Sequence, residues 1–241
     1  MASKGKYTYE YPHPAVAADC VIFGYDGRDM KVLLVKRGKE TEASTAAYVG
    51  EWALPGGFLD VFDDKTVAHT ASRELKEETG LDVPYFNLKE FNTYSLINRD
   101  PRERIISVAH YALVKLAEVK GDTDAERAEW FSLGDVPHLA FDHDKILRDA
   151  SAALRERIHF EPVGFELLPE VFTMPQLQNL YESVLGVRFD RRNFAAKILK
   201  LGILEPTGDR PDDAPRSVPV QYRFNSASYE QMKSRGFRLE F

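Results

Sequence analysis

Three glutamates stand close together in the phrase RELKEETGL, residues 73–81. Glu74, Glu77 and Glu78 have the spacing i, i+3 and i+4, so a helix would place their carboxylates side by side on one face. Three anions near the C-terminal end of a helix repel one another and oppose the helix dipole. A divalent cation such as Mg²⁺, which prefers oxygen ligands, would compensate this charge. The alternative interpretation is a solvated acidic face that binds nothing.

The residues upstream of the glutamates favour metal binding. A short strand pattern, EWALPGGFLD at 51–60, is interrupted by Pro-Gly-Gly, and glycines permit close approach of a ligand to the backbone. A loop follows, and then a helix is predicted over residues 65–79. Asp63 or Asp64 would cap the start of this helix, and Gly80 would end it.

This succession resembles the Nudix box of pyrophosphohydrolases. In that box a glycine is followed by five residues, a glutamate, seven residues and then Arg-Glu-aliphatic-x-Glu-Glu-x-Gly-aliphatic. The second half matches at every defined position. The first half departs from the box, because Lys65 replaces the glutamate and the loop after Gly57 is two residues longer. Asp63 or Asp64 would have to take over the space of the missing acid.

The resemblance implies roles for individual residues of the box. It assigns metal binding to Glu74, Glu77 and Glu78, with the Gly57 carbonyl as a further ligand, and an orienting role to Arg73. The implied cofactor is Mg²⁺ or Mn²⁺. A metal-bound water would attack a phosphoanhydride with a carboxylate as general base, and the predicted catalytic residues are Arg73, Glu74 and Glu78. The lysine and the longer loop leave open whether hydrolysis occurs.

A second segment, NRDPRERIISVAHYAL at 98–113, is similar to one found in Nudix proteins that handle ADP-ribose. The resemblance implies that Arg99 and Arg102 bind the phosphates of an effector or substrate. A charged turn before a strand is the structural alternative. Phe58 or Tyr94 would stack a base, although core packing is favoured for each of them.

Further along, His138, Asp142, His143 and Asp144 contain donor atoms suited to a metal. We favour a simpler interpretation, in which an aspartate caps a helix predicted over residues 141–158 and a histidine is partly packed.

The C-terminal segment differs from the rest in charge and pattern. It carries a net charge of +3 from residue 171 onwards, against −9 for the preceding residues. Helices are predicted at 173–186 and 191–204, joined by a turn and followed by two apolar edges with a polar tip between them. A helix, a turn, a basic helix and a charged hairpin together indicate a winged helix.

Such a basic helix can enter the major groove of DNA, with its first residues near base edges and its lysines near phosphates. For any single arginine, a solvated surface charge is the simpler explanation. The candidate DNA-binding residues are Arg191, Arg192, Asn193 and Lys197 on the helix, and Arg210 and Arg216 on the hairpin tip.

Taken together, the two parts resemble the Nudix-related transcriptional regulators. The resemblance implies an α/β fold: a Nudix α/β/α sandwich with a mixed sheet over residues 1–158, including the connector helix 141–158, and a winged-helix domain over 159–241. It also implies a homodimer on a double-stranded DNA operator, and an effector that is a nucleotide sugar such as ADP-ribose or a sugar such as a pentose.

Two other functions compete with regulation. One is a Mg²⁺-dependent hydrolase that cleaves ADP-ribose or another nucleoside-diphosphate sugar, and the other is an inactive Nudix scaffold. The single cysteine, Cys20, excludes an internal disulfide and is expected to be buried and inert. No apolar run approaches the roughly 20 residues of a membrane span, and no signal peptide is recognised, so we expect a cytoplasmic protein without membrane contact.

Overall fold

The computed structural model describes residues 9–38, 47–120, 125–207 and 219–234. Its contacts divide the chain into two compact units. The first unit contains most residues up to Ala150. The second contains the segments Gly24–Lys31 and Leu113–Leu116 together with the residues from Ser151 onwards. The predicted domain boundary at residue 158 stays a prediction.

A sheet forms the centre of the first unit. Within the described residues it has seven strands, in the order β3-β2-β1-β6-β5, with β4 paired to β1 and β7 paired to β2. The strands are β1 (Ala15–Tyr25), β2 (Met30–Arg37), β3 (Trp52–Ala53), β4 (Gly56–Phe58), β5 (Lys89–Tyr94), β6 (Ile105–Leu113) and β7 (Ala125–Ser132). The predicted α/β class is confirmed for this part of the chain.

The central strands are buried on both faces because their sequences are almost continuously apolar. The residues from Cys20 to Phe23 in β1 and from Val32 to Leu34 in β2 have no exposed surface. Cys20 lies within this core, as predicted, and its Sγ contacts the carbonyl of Ala71 at 3.4 Å. Burial raises the pKa of this thiol well above its usual value, which disfavours the reactive thiolate.

Helix α1 (Val67–Thr79) carries the second half of the box. Its N-cap is Thr66, whose Oγ1 accepts a hydrogen bond from the backbone N–H of His69 at 3.3 Å. The prediction of Asp63 or Asp64 as the cap was therefore wrong. Gly80 ends the helix in the left-handed conformation with φ of 73°, as predicted.

Helix α2 (His143–Arg157) begins two residues later than predicted. The reason lies at Phe141, whose φ of 56° is incompatible with a right-handed helix. The buried face of α2 includes Ile146, Ala150 and Leu154, which recur at helical spacing.

The second unit contains the predicted helix-turn-helix. After the end of α2, its elements include β8 (Phe172–Thr173), α3 (Met174–Leu185), α4 (Arg191–Lys200), β9 (Leu204–Pro206), β10 (Gln221–Phe224) and α5 (Ser226–Ser234). Among the described residues, β8, β10 and β9 form a three-stranded antiparallel sheet in that order. Helices followed by a strand pair confirm the winged-helix prediction.

Two details of the second unit differ from the prediction. Helix α4 ends at Lys200 rather than at residue 204, because Gly202 turns the chain with φ of 67° and Leu204 pairs in β9. Helix α5, with the sequence SASYEQMKS, was not predicted.

Within the described ranges, no helix has the length and apolar character needed to cross a membrane.

Candidate functional site

The box begins where β4 pairs antiparallel with β1, with Gly57 opposite Ala18 and Gly56 opposite Asp19. A side chain at Gly56 would collide with the carbonyl of Ala18. A side chain at Gly57 would collide with the carboxylate of Glu74. Glycine is therefore required at position 56, where the obstacle is backbone, whereas a side chain at position 57 would displace the Glu74 carboxylate from its place beside β4.

The three glutamates of α1 lie together, as the helical spacing predicts, and each already has a partner. One nitrogen of Arg73, Nη1, donates to Glu74 at 2.7 Å and to Glu77 at 3.0 Å. Glu78 accepts a hydrogen bond from the backbone N–H of Gly56 at 2.9 Å. Burial raises the pKa of Glu74, although its contact with Arg73 opposes this effect.

These contacts change the charge argument made from the sequence. Arg73 supplies a positive charge beside the glutamates, so the cluster does not need a metal ion for compensation alone. In the part of the chain that the structure describes, no three His, Cys, Asp or Glu side chains are arranged to hold a metal. The glutamates therefore favour a metal through their oxygen ligands and their order in the sequence, and not through negative charge that lacks a positive partner.

The other side of the Arg73 guanidinium binds the loop that departs from the box. Its Nη2 donates to Asp64 at 2.9 Å and to the carbonyl of Phe58 at 3.0 Å, and its Nε donates to Asp64 at 3.2 Å. Asp64 also accepts hydrogen bonds from the Thr70 hydroxyl and the Asp60 N–H, both at 2.9 Å. The Asp64 side chain is only 5% exposed.

Of the two acids considered for the place of the missing glutamate, Asp64 makes the contacts with the box. Lys65, in contrast, is exposed to solvent. Burial alone would raise the pKa of Asp64, but the hydrogen bonds from Arg73, the Asp60 N–H and Thr70 outweigh it and lower the pKa. The pKa of Arg73 is raised in turn, chiefly by its hydrogen bond to Asp64.

Arg99 is buried and binds two carboxylates of its own unit. It donates to Asp142 at 2.7 and 3.0 Å and to Asp19 at 3.0 Å, and its side chain is 4% exposed. Asp19 also accepts from the Ser107 hydroxyl at 2.6 Å. These contacts show that Arg99 holds together the segments that carry Asp19 and Asp142. Its contact with phosphate stays a prediction.

The four residues considered as a metal cluster near α2 separate into different contacts, while the predicted aspartate cap of this helix stays a prediction. Asp142 binds Arg99, and His138 pairs with Asp144 at 2.5 Å. The Nδ1 atom of His143 accepts from the backbone N–H of Leu54 at 2.9 Å. His143 is buried, and burial lowers its pKa, which favours the neutral ring.

Arg102 lies in a cleft beside Gly56 and Gly57. Asp100 accepts two hydrogen bonds from its guanidinium, at 2.7 and 3.0 Å. The guanidinium carbon lies 5.2 Å from the ring centre of Phe58 and 5.4 Å from that of Phe141. Phe58 is thus at the site.

Tyr94, the other aromatic candidate, is buried, and its hydroxyl donates to Asp149 at 2.8 Å. This contact supports the core-packing alternative for Tyr94. Sequence reasoning missed Phe141 and Arg37 as lining residues of the cleft. No periodic signal identifies them, because they are far apart in the chain.

In the second unit, the predicted DNA-binding residues of α4 are exposed. Arg191, Arg192, Asn193 and Lys197 face solvent, while Phe194 and Ile198 are buried. The carboxylate of the N-cap residue Asp190 accepts hydrogen bonds from the backbone N–H groups of residues 192 and 193. Arg210 and Arg216 lie outside the described residues.

The turn between α3 and α4 is held by a buried carboxylate. Glu182 accepts hydrogen bonds from Gln178 at 2.8 Å, Arg188 at 2.7 Å and the N–H of Phe189 at 2.9 Å. The hydrogen bond from Gln178 is the largest cause of the lowered pKa of Glu182, and the other two contribute. The start of α4 is therefore fixed relative to α3 by charge-assisted hydrogen bonds.

Comparison with known proteins agrees with this arrangement. Residues 13–153 match the model of the NUDIX domain, and residues 164–224 match that of the NrtR DNA-binding winged helix domain. The ADPR responsive transcriptional repressor NtrR of Acinetobacter baylyi is 32% identical over 90% of this chain and 87% of its own length. The chain belongs to the NrtR family of Nudix-related regulators.

Other relatives divide between regulation and hydrolysis. The structure of Shewanella oneidensis NrtR with a 27mer DNA has a TM-score of 0.70 and 26% identity, covering 93% of this chain and 97% of that chain. Its NUDIX domain with ADP ribose has a TM-score of 0.53 and 30% identity, covering 61% and 90%. The ADP-ribose pyrophosphatase of Methanocaldococcus jannaschii is 42% identical over 58% of this chain and 74% of its own length. Nudix hydrolases generally use divalent metal ions.

The contacts of Asp64 lead to a stability prediction. Asp64→Asn should lower the free energy of unfolding at pH 7 by about 1–2 kcal/mol, because Arg73 loses a charged acceptor. The folded-state pKa of Asp64 is lowered, so its stabilisation is present above the unfolded value of about 3.9 and is lost as the pH falls through the folded value. The difference in the free energy of unfolding between wild type and Asp64→Asn should therefore become smaller as the pH falls.

Urea denaturation followed by circular dichroism at pH 7 and pH 3 measures this difference, with Asp63→Asn as the matched control. Asp63 is exposed, and its substitution should change stability by less than about 0.5 kcal/mol. Equal losses of stability in the two variants, or a stability difference that does not depend on pH, would show that Asp64 does not stabilise the loop through Arg73.

Proposed function

We propose that this chain is a transcriptional regulator that binds operator DNA through its C-terminal unit and senses a nucleotide sugar of the ADP-ribose type in its Nudix cleft. The observation that carries the proposal is the similarity to an ADPR responsive repressor along 90% of the chain. That similarity spans both the box with its cleft and the helix-turn-helix. A relative with the Nudix part alone would not support DNA binding.

The exposed face of α4 supports the DNA-binding half of the proposal. Arg191, Arg192 and Asn193 occupy its first turn, the part of a recognition helix that contacts base edges. Lys197 lies one turn further along and would meet a phosphate. Arg210 and Arg216 would add contacts from the hairpin. A homodimer on a palindromic operator in the cytoplasm fits this arrangement, because two copies of α4 would bind two half-sites.

The cleft supports the effector half of the proposal. Arg102 lines it beside the glycines of the box, so it is well placed for the diphosphate of a nucleotide sugar. Arg99 lines the same cleft but is bound to Asp19 and Asp142. Its proposed contribution is to hold the segment that carries Arg102, in addition to any contact with phosphate.

The donor set of the box fits a hard divalent cation. Glu74, Glu77 and Glu78 offer carboxylate oxygens, and the missing side chain at Gly57 leaves its backbone next to Glu74. These residues would hold Mg²⁺ or Mn²⁺, with the Gly57 carbonyl as a further ligand. When bound, the metal would supply the Lewis acidity that phosphoanhydride hydrolysis requires. Arg73 would orient Glu74 and Glu77 through the contacts it already makes.

Hydrolysis is the second candidate function, and two observations favour it. The second half of the box is intact, and the pyrophosphatase of M. jannaschii is 42% identical over 139 residues. The two functions are compatible, because a regulator that hydrolyses its effector would consume its own signal. Glu74 and Glu78 are the candidate bases in this alternative.

DNA binding should depend on the first turn of α4. Replacing Arg191 and Arg192 together with alanine should weaken operator binding by at least about ten-fold, since one base contact is worth about 1–3 kcal/mol. Fluorescence anisotropy with a duplex selected from a randomised library by the full chain measures the affinity. Arg127→Ala is the control, because Arg127 is exposed and lies on β7 of the first unit. Unchanged affinity in the double variant would exclude these arginines from the interface.

The hydrolase alternative has its own test. Full-length protein with Mg²⁺ should convert ADP-ribose and water to AMP and ribose 5-phosphate, and chelation of the metal should stop the reaction. Glu78→Gln should lower the rate by at least about 100-fold, the usual scale for loss of a general base. Asp82→Asn, an exposed acid beyond the end of α1, should retain the rate. If the wild type forms no AMP in a chromatographic assay, hydrolysis is excluded and sensing remains.

A further inference from the structure

The turn between β1 and β2 packs within the second unit, although it lies in the segment that matches the NUDIX domain. Residues 13–153 give that match, yet the contacts of the chain place Gly24–Lys31 in the same unit as the helix-turn-helix. The backbone N–H of Met30 donates to the hydroxyl of Ser183 on α3 at 3.0 Å, and Met30 is buried. This turn is therefore fixed against the first helix of the helix-turn-helix.

The backbone of the turn is closed by its own hydrogen bonds. The carboxylate of Asp26 accepts from the N–H groups of Arg28 at 2.8 Å and Asp29 at 2.7 Å. It also pairs with the ammonium of Lys31 at 3.0 Å. Gly27 has a φ of 94°, which glycine adopts without strain. Arg28 therefore projects from a constrained backbone, and its side chain is 89% exposed.

A polar groove of about 520 Å³ lies between this turn and the C-terminal end of α3. Arg28 lines it from the turn, and Arg188 lines it from the segment that joins α3 to α4. The side chain of Arg188 is 90% exposed, and this residue shortly precedes Asp190, the N-cap of α4. Exposed guanidinium groups from two segments thus border one groove, close in the chain to the start of the proposed recognition helix.

Two carboxylates also line the groove, and neither occupies these arginines fully. Glu182 is buried and accepts from one nitrogen of Arg188, Nη1, at 2.7 Å. The carboxylate of Asp29 lies 3.8 Å from Nε of Arg28, which is beyond hydrogen-bond distance. The remaining donors of both arginines face solvent, because both side chains are almost fully exposed. A planar guanidinium with available donors matches the oxygens of a phosphate.

We propose that Arg28 and Arg188 bind the phosphate backbone of DNA while α4 lies in the major groove. The DNA-binding surface of the second unit then includes a turn of the NUDIX segment. Contacts of this kind fix the position of a protein on the duplex and carry no sequence information. The inference rests on the proposed function and extends its DNA-binding residues beyond α4 and the hairpin tip.

The exposure of the two arginines favours DNA over a small phosphate-containing ligand. A free anion at such a site would stay hydrated, and salt would screen its attraction to the arginines. The phosphates of a duplex are instead held nearby by the contacts of α4, so a further contact adds to binding that already exists. Each phosphate contact also releases a condensed counterion, which a small anion does not carry.

The salt dependence of DNA binding tests this proposal. Fluorescence anisotropy with full-length protein gives the affinity over a series of KCl concentrations, for the selected operator duplex and for a scrambled duplex of equal length. Arg28→Ala should reduce the steepness of log affinity against log salt by about 0.9 per bound copy of the chain. It should weaken binding of both duplexes by one common factor of at least about three. Arg188→Ala should act in the same way, since Gln178 and the Phe189 N–H still bind Glu182.

Two matched variants separate a phosphate contact from a general change of charge. Arg28→Lys keeps a positive charge at the turn and should retain the wild-type salt dependence. Arg127→Ala removes an equal charge from the exposed part of β7 in the first unit and should leave the salt dependence unchanged.

A salt dependence of Arg28→Ala equal to that of wild type would overturn the proposal, as would an equal reduction in Arg127→Ala. A loss confined to the operator duplex would assign Arg28 to a base and not to phosphate. Replacing part of the KCl with potassium phosphate at equal ionic strength should not change operator affinity, and a release of the duplex that requires Arg28 would assign the groove to free phosphate. A wild type that binds neither duplex would remove the proposed function, whereas operator binding with unchanged salt dependence in Arg28→Ala would remove only this inference.

Discussion

The guanidinium of Arg73 connects the parts of the Nudix site. A single side chain binds two glutamates of α1, the aspartate of the preceding loop and the carbonyl of Phe58 in β4. Arginine suits this position because its donors lie in a rigid planar fork and stay charged at all accessible pH values. A lysine, with one ammonium on a flexible chain, would not serve strand, loop and helix at once.

The same contacts of Arg73 explain how the site is held together although the first half of the box is altered. The chain has lost the glutamate at position 65, yet a carboxylate one residue earlier reaches Arg73. Asp64 is shorter than glutamate, and Thr70 and the Asp60 N–H also bind it, so the longer loop is drawn against α1. The change in sequence thus relocates the acid while retaining an acid beside the arginine.

Local signals in the sequence were sufficient for much of the fold. The box helix with its Gly80 end, and the positions of the two helices of the C-terminal unit, follow from neighbouring residues. The start of α1 was misplaced because Asp64 and Thr66 are both good caps, and the choice depends on Arg73, nine residues from Asp64. Helix α5 was missed because its short sequence lacks a clear apolar stripe.

The parts of the site that sequence could not predict depend on tertiary contacts. Arg99 had the right type for a phosphate ligand, but its carboxylate partners are 43 and 80 residues away in the chain. Phe141 was predicted as the first residue of a helix, but its φ of 56° is left-handed, and its neighbours in the chain bind Trp52, Leu54 and Arg99. Residue type therefore indicated the chemistry, whereas burial and strain depended on distant segments.

If this chain is a regulator that responds to its effector, effector binding and DNA binding are coupled within it. Such coupling is reciprocal, because a ligand that changes the affinity for DNA must have its own affinity changed by the same factor. The most direct measurement is therefore the affinity for the selected operator duplex with and without saturating ADP-ribose, paired with the affinity for ADP-ribose with and without the duplex. We predict that both change by one common factor of at least about five. An operator affinity that is unaltered by bound ADP-ribose would show that the two sites are not coupled and that ADP-ribose is not the effector.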